Sequence, residues 1–455
     1  MKKPSLALLL LLSGYSAVAQ VAAPARKATT AWTATVAETG APATIAPASA
    51  QRIDQLLREY TAANRVPGAI ALVMRDGQVV YRKAFGVDEV AAQTPLRTDA
   101  IVRIASQTKA VTSVALMLLY DEGRFQLDDP ISRYLPAFRN PRVLATFKAQ
   151  DSTYTTVPAR GEVTIRQLLT HTSGISYPVI GTKEAQAIYA KARIPSGIGT
   201  PTGSLAKAMD ALGPLPLMHQ PGERFTYGLS VDVLGRLVEV LAGQSLDQFL
   251  RVRLFEPLHM RDTYFYLPAT KQARLATLHT EDAAKQTVPM GRIGNMTPDY
   301  PNAAGTYFSG GAGLSSTIDD YARFLQMLLN NGTANGRQLL RPATVALMTQ
   351  NQIGTVDQGD HKFGLGFSLT TPESAKISGP SAGSYEWGGI FGTTYWVDPK
   401  EKLVALIYTQ KYPSSTSRDL AGKFKTAVYQ SFVPNQKAPG SAAAPVPAAA
   451  AGGSR

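Results

Sequence analysis

The sequence predicts an α+β fold: an antiparallel sheet built from both ends of the chain and flanked by helices, with a mostly helical region inserted between them. The first observation lies near the amino terminus, where two strand-like segments, 69–74 and 79–85, flank Asp76-Gly77. An Asp-Gly pair between two such segments is a strong signal for a β-hairpin. A helical spacing of apolar residues over 49–64 precedes this hairpin.

The second observation is a matching hairpin near the carboxyl terminus, with segments 393–397 and 403–408 around Asp398-Pro399. A helical pattern over 418–432 follows it. The chain between the two hairpins reads as mostly helical, with Gly- and Pro-rich loops and no internal repeat. Because both ends are expected to share one sheet, we expect a functional cleft between that sheet and the inserted region.

The two termini differ in composition from the rest of the chain. Residues 1–19 begin with Met-Lys-Lys, continue with a short apolar run and end in Ala-Val-Ala, which is typical of a secretory signal peptide. The apolar run is too short to span a bilayer, so no transmembrane segment is expected after cleavage. Residues 20–48 indicate an Ala/Pro/Thr-rich linker and residues 434–455 a disordered Ala/Pro/Gly tail, which leaves a catalytic domain over 49–433. The protein is therefore expected to be exported, to the periplasm or outside the cell.

Composition excludes several classes of function. The 455 residues include no cysteine, which rules out a disulfide framework, a thiol nucleophile and a Cys-ligated metal. The five histidines form no HExxH motif and no close pair, so a metal site is not expected. The net charge is +13, but no basic run or aromatic-basic motif accompanies it, and no nucleic-acid partner is expected. The sequence carries no signal for a particular oligomeric state.

The pattern Ser-x-x-Lys occurs twice, at Ser106–Lys109 and at Ser204–Lys207, and the context separates the two copies. Ser106 follows a strand-like segment and opens an apolar helical segment over 110–120. Residues three apart share one face of a helix, so Lys109 should lie beside the serine hydroxyl. Free N–H groups at a helix start favour developing negative charge, and an apolar helix desolvates the lysine so that it can act as a base. Ser204 lies in a Gly- and Pro-rich approach to a short helix and lacks that apolar run.

Two later elements gain weight when they are combined with Ser106. Tyr227 precedes an apolar helical segment, and the sequence Trp-Gly-Gly-Ile over 387–390 enters the carboxyl-terminal hairpin. Glycines in a strand let a substrate approach the backbone closely, so that an N–H group can face an oxyanion. Taken alone, a tyrosine before a helix is usually a packing residue and glycines at a strand start usually form a bulge.

The ordered set of these motifs resembles the serine β-lactamase-like superfamily, namely class C β-lactamases, low-molecular-weight penicillin-binding proteins and family VIII carboxylesterases. Three supporting segments, 168–174, 220–223 and 310–317, also look like that superfamily, and the resemblance covers residues 50–432. It implies the antiparallel sheet and inserted helical region of a β-lactamase or transpeptidase.

The resemblance also implies a role for each site residue. Ser106 would form an acyl-enzyme, Lys109 would help to remove its proton, and Tyr227 would relay a proton to the leaving group. The backbone N–H groups of Ser106 and Ile390 would form the oxyanion hole. His171 is expected to be a structural hydrogen-bonding residue near the cleft, since the lysine and the tyrosine already fill the role of a base.

The chain departs from the β-lactamase pattern at two motifs. Leu229 stands where that pattern has the asparagine of Tyr-x-Asn, and Trp387-Gly388-Gly389 stands where it has Lys-Thr-Gly. A tryptophan cannot supply the cation that recognises the carboxylate of a β-lactam or a peptide. Both changes resemble the esterase branch, and these four residues are the predicted substrate-binding residues.

One competing motif fails on its context. Residues 379–383 read Gly-Pro-Ser-Ala-Gly, which matches the nucleophile elbow of α/β-hydrolases. That motif needs a strand before it, a helix after it and a later histidine, whereas here a strand follows and all five histidines precede Ser381. Ser381 is therefore expected to lie in a loop.

The sequence thus predicts a secreted serine hydrolase that acts through an acyl-enzyme on Ser106, as a carboxylesterase on small esters, without a metal or an organic cofactor. Its expected partner is a small-molecule ester, amide or β-lactam substrate. Three alternatives stay open: a β-lactamase or D-Ala-D-Ala carboxypeptidase, an acyltransferase, and a binding protein that keeps the fold without turnover. The presence of Ser106, Lys109 and Tyr227 together argues against the last.

Overall fold

A computed structural model of the chain describes residues 45–293 and 296–431. The predicted signal peptide, most of the predicted linker and the predicted tail lie outside these residues. The helices are α1 Pro47–Ala62, α2 Thr108–Asp121, α3 Ile165–Leu169, α4 Lys183–Lys191, α5 Leu205–Leu212, α6 Ser230–Ala242, α7 Leu246–Leu250, α8 Ala269–Gln272, α9 Ile318–Leu329, α10 Pro342–Met348, α11 Pro372–Ser378 and α12 Ser417–Gln430.

The strands are β1 Gly68–Arg75, β2 Gln78–Glu89, β3 Thr94–Pro95, β4 Val102–Arg103, β5 Arg142–Lys148, β6 Thr153–Pro158, β7 His279–Glu281, β8 Thr287–Pro289, β9 Ser315–Ser316, β10 Thr333–Ala334, β11 Arg337–Gln338, β12 His361–Phe363, β13 Ser368–Thr370, β14 Tyr385–Gly389, β15 Thr393–Asp398 and β16 Leu403–Tyr408.

A large sheet joins the two ends of the chain, as the sequence predicts. Eight strands pair antiparallel in the order β12-β13-β14-β15-β16-β1-β2-β3. The first hairpin turns at Asp76 and Gly77, whose φ angles of 50° and 76° are the positive values that a tight two-residue hairpin turn requires. β1 and β16 lie side by side, with Ile70 opposite Tyr408. The predicted α+β class, with its antiparallel sheet built from both chain ends, is therefore confirmed.

Both faces of the central strands are covered, which explains their nearly continuous apolar sequences. Alternate residues of β1, such as Ala71 and Val73, pack with α1 and α12 in one core cluster. The intervening residues of β1 are also buried, and α9 packs against β1 and β16. Trp396 of β15 meets Phe424 of α12 edge to face, with ring centroids 5.6 Å apart.

The inserted region between β3 and β12 carries helices α2 to α10, among which α2 packs against α6. It also contains a two-stranded ribbon of β5 and β6 that the sequence pattern did not indicate. Most side chains of this ribbon are exposed, so it lacks the apolar alternation that marks a half-buried strand. In residues 45–293 and 296–431, no helix combines the length and the apolar character that crossing a membrane requires.

Candidate active site

Ser106 lies in a single 3₁₀ turn, Ala105–Gln107, that runs directly into α2. The α-helix itself therefore begins at Thr108, two residues after the serine. Ala105 has a φ of 43°, a left-handed conformation that costs a non-glycine residue about 1–3 kcal/mol. It is packed in a cluster with Tyr300 and Phe391, which holds it in place. Tertiary packing thus holds a strained backbone conformation at the residue immediately before Ser106.

Lys109 projects from the first turn of α2 into a buried position, with only 2% of its surface exposed. Its Nζ donates to the carbonyl oxygen of Gly311 at 2.8 Å and lies 3.5 Å from Ser106 Oγ. The same nitrogen lies 4.6 Å from the ring centroid of Tyr227 and 5.3 Å from that of Tyr177. The structure therefore brings the three predicted catalytic side chains together around one amine.

Tyr227 lies within an aromatic cluster at the edge of the cleft. Its hydroxyl accepts a hydrogen bond from Trp387 Nε1 at 3.4 Å, and the two rings are 5.5 Å apart. Tyr177 stacks on Tyr227 with centroids 5.9 Å apart, and Phe363 meets Trp387 edge to face at 5.4 Å. Trp387 thus places an uncharged N–H donor beside the Tyr227 hydroxyl.

The end of β14 passes immediately beside the turn that carries Ser106. A Cβ atom on Gly389 would lie 2.3 Å from the carbonyl oxygen of Ile104, so the strand can run this close only with glycine at that position. Gly388 is the neighbouring residue of the strand, and Ile390 follows Gly389. The backbone of Ile390 therefore adjoins the serine turn, and its role in an oxyanion hole remains a prediction.

Two cavities meet at Ile390. One is a groove of about 720 Å³, lined by residues 386–390 of the β14 end and, across from them, by Ser417, Arg418 and Lys425 of α12. The other is a smaller cavity of about 310 Å³, lined mainly by apolar side chains that include Ile198, Met296 and Tyr412. A group bound at Ile390 thus adjoins both spaces, of which the larger carries the charged side chains of Glu386, Arg418 and Lys425.

One predicted substrate-binding residue, Leu229, and the two alternative serines, Ser204 and Ser381, lie apart from the other predicted site residues. Leu229 immediately precedes α6 and has no exposed surface, so its side chain packs in the core and does not line the cleft. Ser204 caps α5, accepting a hydrogen bond from the backbone N–H of Lys207 at 3.5 Å. Ser381 lies in the loop between α11 and β14, where its N–H donates to Asp398 Oδ2 at 2.8 Å.

His171 is buried beneath Tyr227 rather than facing the cleft. Its ring lies 4.8 Å from the Tyr227 ring and also contacts Phe225 and Phe363. Burial, and secondarily the charge of Lys109, hold the pKa of His171 well below its usual value. Its Nδ1 has no hydrogen-bond partner among the described residues, and its backbone bonds to Leu168 and Thr226 instead. The imidazole is therefore a neutral packing group under Tyr227.

Asp232 is a buried charged residue that the motif analysis passed over. It lies in the first turn of α6, next to Gly311 and the amine of Lys109. Its sequence signal is a carboxylate set among Val231, Val233 and Leu234, in a stretch that otherwise reads as core. As for metals, no group of three His, Cys, Asp or Glu side chains in the described part of the chain could hold an ion.

The sheet, the inserted helices and the cluster around Lys109 define a protein of the serine β-lactamase-like superfamily. The chain belongs to the Beta-lactamase family, whose model matches residues 53–430. Protein Rv1367c of Mycobacterium tuberculosis is 37% identical over 374 residues, which cover 78% of this chain and 89% of that protein. Esterase EstB of Burkholderia gladioli is 31% identical over 389 residues, which cover 83% of this chain and 93% of that protein.

Solved structures show the same fold. EstCE1, described as a hydrolase with promiscuous acyltransferase activity, matches with a TM-score of 0.73 at 27% identity. The match covers 84% of this chain and 98% of that structure. The resemblance to the serine β-lactamase-like superfamily that the motifs indicated is therefore confirmed.

Proposed function

We propose that this chain is an exported serine hydrolase that cleaves small carboxylic esters through an acyl-enzyme on Ser106. The observation that carries the proposal is the buried amine of Lys109, 3.5 Å from Ser106 Oγ. An amine within reach of a hydroxyl is the arrangement that activates a serine nucleophile, and such hydrogen bonds are often long before substrate binds.

The proposed hydrolysis uses the side chains of Ser106, Lys109 and Tyr227 in turn. Ser106 Oγ attacks the ester carbonyl carbon while its proton moves to Lys109 Nζ, and the N–H groups of Ser106 and Ile390 stabilise the charge on the carbonyl oxygen. The tetrahedral intermediate collapses, the bond to the alcohol oxygen breaks, and Tyr227 relays the proton to the departing alkoxide. Water then attacks the acyl-enzyme by the same steps, which releases the acid and restores the serine hydroxyl.

The surroundings of the serine favour an uncharged ester over a β-lactam. Trp387 contributes an indole N–H and no positive charge, so this position offers no cation for a carboxylate. The apolar cavity beside Ile390 suits the hydrocarbon part of an ester. Similarity to an esterase over most of both chains supports the same choice.

The substrate class is tested by comparing kcat/KM for p-nitrophenyl butyrate, nitrocefin and a D-Ala-D-Ala peptide at one pH. We expect turnover of the ester and slow or absent turnover of the other two. A site built to hydrogen-bond a polar group discriminates by several powers of ten, whereas an apolar site discriminates weakly. A clear preference for nitrocefin or the peptide would overturn the esterase assignment and leave Ser106 in place as nucleophile.

The nucleophile is tested with a matched pair of variants in the two Ser-x-x-Lys copies. Ser106→Ala should abolish both turnover and labelling by a serine-directed phosphonate. Ser204→Ala should keep both and lose only helix-cap stability, about 0.5–2 kcal/mol. Labelling that survives in Ser106→Ala would reject the assignment.

A second candidate function is acyl transfer to an alcohol. The groove of about 720 Å³ runs along residues 386–390, whose end adjoins the turn that carries Ser106, and it offers room for an acceptor. EstCE1 is described as having promiscuous acyltransferase activity. The measurement is the ratio of transfer product to free acid when a primary alcohol is added to the p-nitrophenyl butyrate assay. A ratio no greater than that of the uncatalysed mixture would reject acyl transfer.

A further inference from the structure

A completely buried carboxylate lies close to the proposed catalytic amine. Asp232 has no exposed surface, and its Oδ1 accepts a hydrogen bond from Ser309 Oγ at 2.6 Å. Burial raises the pKa of Asp232, while the charge of Lys109 and the hydrogen bond from Ser309 oppose that rise. Burying an ionised group is costly unless it is paired, so this carboxylate needs the neighbouring positive charge.

Gly311 lies close to both side chains. Its carbonyl oxygen accepts a hydrogen bond from Lys109 Nζ at 2.8 Å. A Cβ atom on Gly311 would lie 2.4 Å from Asp232 Oδ2 and 3.3 Å from Lys109 Nζ. Asp232 Oδ2 and Lys109 Nζ therefore both border the space that a side chain at position 311 would occupy, although Oδ2 itself has no hydrogen-bond partner among the described residues.

Asp232 is the charged side chain in the first turn of α6. Leu229, one turn earlier, is apolar and fully buried. Asp232 is thus the charged side chain through which the first turn of α6 acts on Lys109.

We propose that Asp232 is a positioning residue for Lys109: its buried negative charge, close to the amine, favours the ammonium that forms when Lys109 takes up the serine proton. The inference rests on the proposed function, in which that proton moves from Ser106 Oγ to Lys109 Nζ. Asp232 exchanges no proton in this step; its negative charge compensates the ammonium that forms.

Three other titratable groups near Lys109 and Asp232, namely His171, Tyr177 and Tyr307, stay uncharged near neutral pH. His171 and Tyr227 face Lys109, Tyr177 faces both members of the pair, and Tyr307 faces Asp232. Burial holds the pKa of His171 well below its usual value and raises the pKa of Tyr177 and Tyr307 well above theirs. None of these three changes its charge near neutral pH, so none of them can take the place of the Asp232 carboxylate.

The test is the pH dependence of kcat/KM for p-nitrophenyl butyrate in Asp232→Asn. The negative charge favours the protonated form of Lys109, so its removal makes the proton easier to lose. The acidic limb of the profile should therefore move to lower pH, by about 1–3 units, which is the usual effect of an opposite charge a few ångströms away. Asparagine keeps the shape of the side chain and can still accept the hydrogen bond from Ser309.

The matched control is Asp320→Asn, which neutralises another buried carboxylate whose pKa is raised to about 6 by burial. Asp320 lies in α9 and bonds to Arg323 and Thr263, away from Lys109. This control should leave the acidic limb at its wild-type pH. If Asp232→Asn only destabilised the fold, kcat/KM would fall by the same factor at every pH, as in a partly unfolded sample, and the acidic limb would not move.

A second variant keeps the proposal testable if Asp232→Asn does not fold. Ser309→Ala removes the hydrogen bond that stabilises the ionised carboxylate, so the acidic limb should move in the same direction by a smaller amount. Phosphonate labelling of Ser106 and a melting curve are measured for every variant. If a variant folds and its Ser106 is labelled by the phosphonate, but the acidic limb of its kcat/KM profile stays at the wild-type pH, the role of Asp232 is overturned. Absence of labelling in the wild type would instead reject the nucleophile on which the inference rests.

Discussion

Replacing Gly389 with alanine tests how the sheet edge contributes to catalysis. The added Cβ would lie 2.3 Å from the carbonyl oxygen of Ile104 and 2.4 Å from Thr393 Oγ1. Real Cβ atoms essentially never come within 3.0 Å of a neighbour, so the strand end or the turn before Ser106 must move by about 0.7 Å. The movement falls between the two peptides whose N–H groups are proposed to hold the oxyanion.

The expected cost follows from that displacement. A misplacement of about 1 Å can lower a rate by about 10²-fold, and loss of one oxyanion donor costs about 10²–10³ in kcat. We therefore expect kcat for p-nitrophenyl butyrate to fall by about 10²-fold in Gly389→Ala, because the oxyanion is fully developed only in the transition state. Active-site titration with the phosphonate corrects the rate for any inactive fraction.

The matched control is Gly422→Ala on the opposite wall of the same groove. A Cβ atom there meets nothing within 4 Å, so kcat should not change. Stability should rise by about 0.5–1 kcal/mol, since Gly422 lies inside α12 and alanine favours a helix. Wild-type kcat in a folded Gly389→Ala protein would show that the end of β14 does not hold the oxyanion.

Four further outcomes are expected. Lys109→Ala and Tyr227→Phe should each lower kcat by about 10²–10⁴ with an unchanged circular dichroism spectrum, and near-normal kcat in either would remove that residue from the mechanism. His171→Phe should leave the pH profile unchanged near neutral pH, because the imidazole is already neutral there, and a shifted limb would contradict its assignment as a packing group. Protein recovered from outside the cytoplasm should begin near Gln20 on amino-terminal sequencing, and an intact first residue would argue against a cleaved signal peptide. EDTA should not inhibit turnover, and strong inhibition would indicate a metal that the described residues do not reveal.

Local sequence patterns, namely turn residues and the spacing of apolar residues, predicted much of the fold. The turn residues Asp76-Gly77 identified the first hairpin, and the predicted helix over 49–64 is found at Pro47–Ala62. The pairing of β1 with β16 followed because two apolar hairpins from opposite ends of a chain bury their faces best in one sheet. The domain limits and the signal peptide remain predictions.

The sequence predicted the individual residues of the candidate site, but it did not predict which of them would contact each other. The apolar context of α2 distinguished Ser106 from Ser204, whose hydroxyl caps a helix. The contact between Lys109 and Gly311 joins residues 202 positions apart, and no local pattern specifies such a pairing. The positive φ of Ala105 has the same origin, because tertiary packing holds a conformation that the residue alone disfavours. The catalytic roles themselves remain predictions until the variants are measured.

Charge balance connects the two departures from the β-lactamase pattern. A lysine at position 387 would bring a second cation beside Tyr227, whose ring already lies 4.6 Å from Lys109 Nζ, in a site that excludes much of the water that would screen it. Trp387 instead donates a neutral N–H to the Tyr227 hydroxyl. Leu229 is buried and apolar, and Asp232 is the charged side chain in the first turn of α6. In the proposed arrangement the charge of Asp232 balances that of Lys109, so the buried cluster needs no anionic substrate to compensate it. An uncharged ester, the proposed substrate, neither adds a charge to this cluster nor removes one.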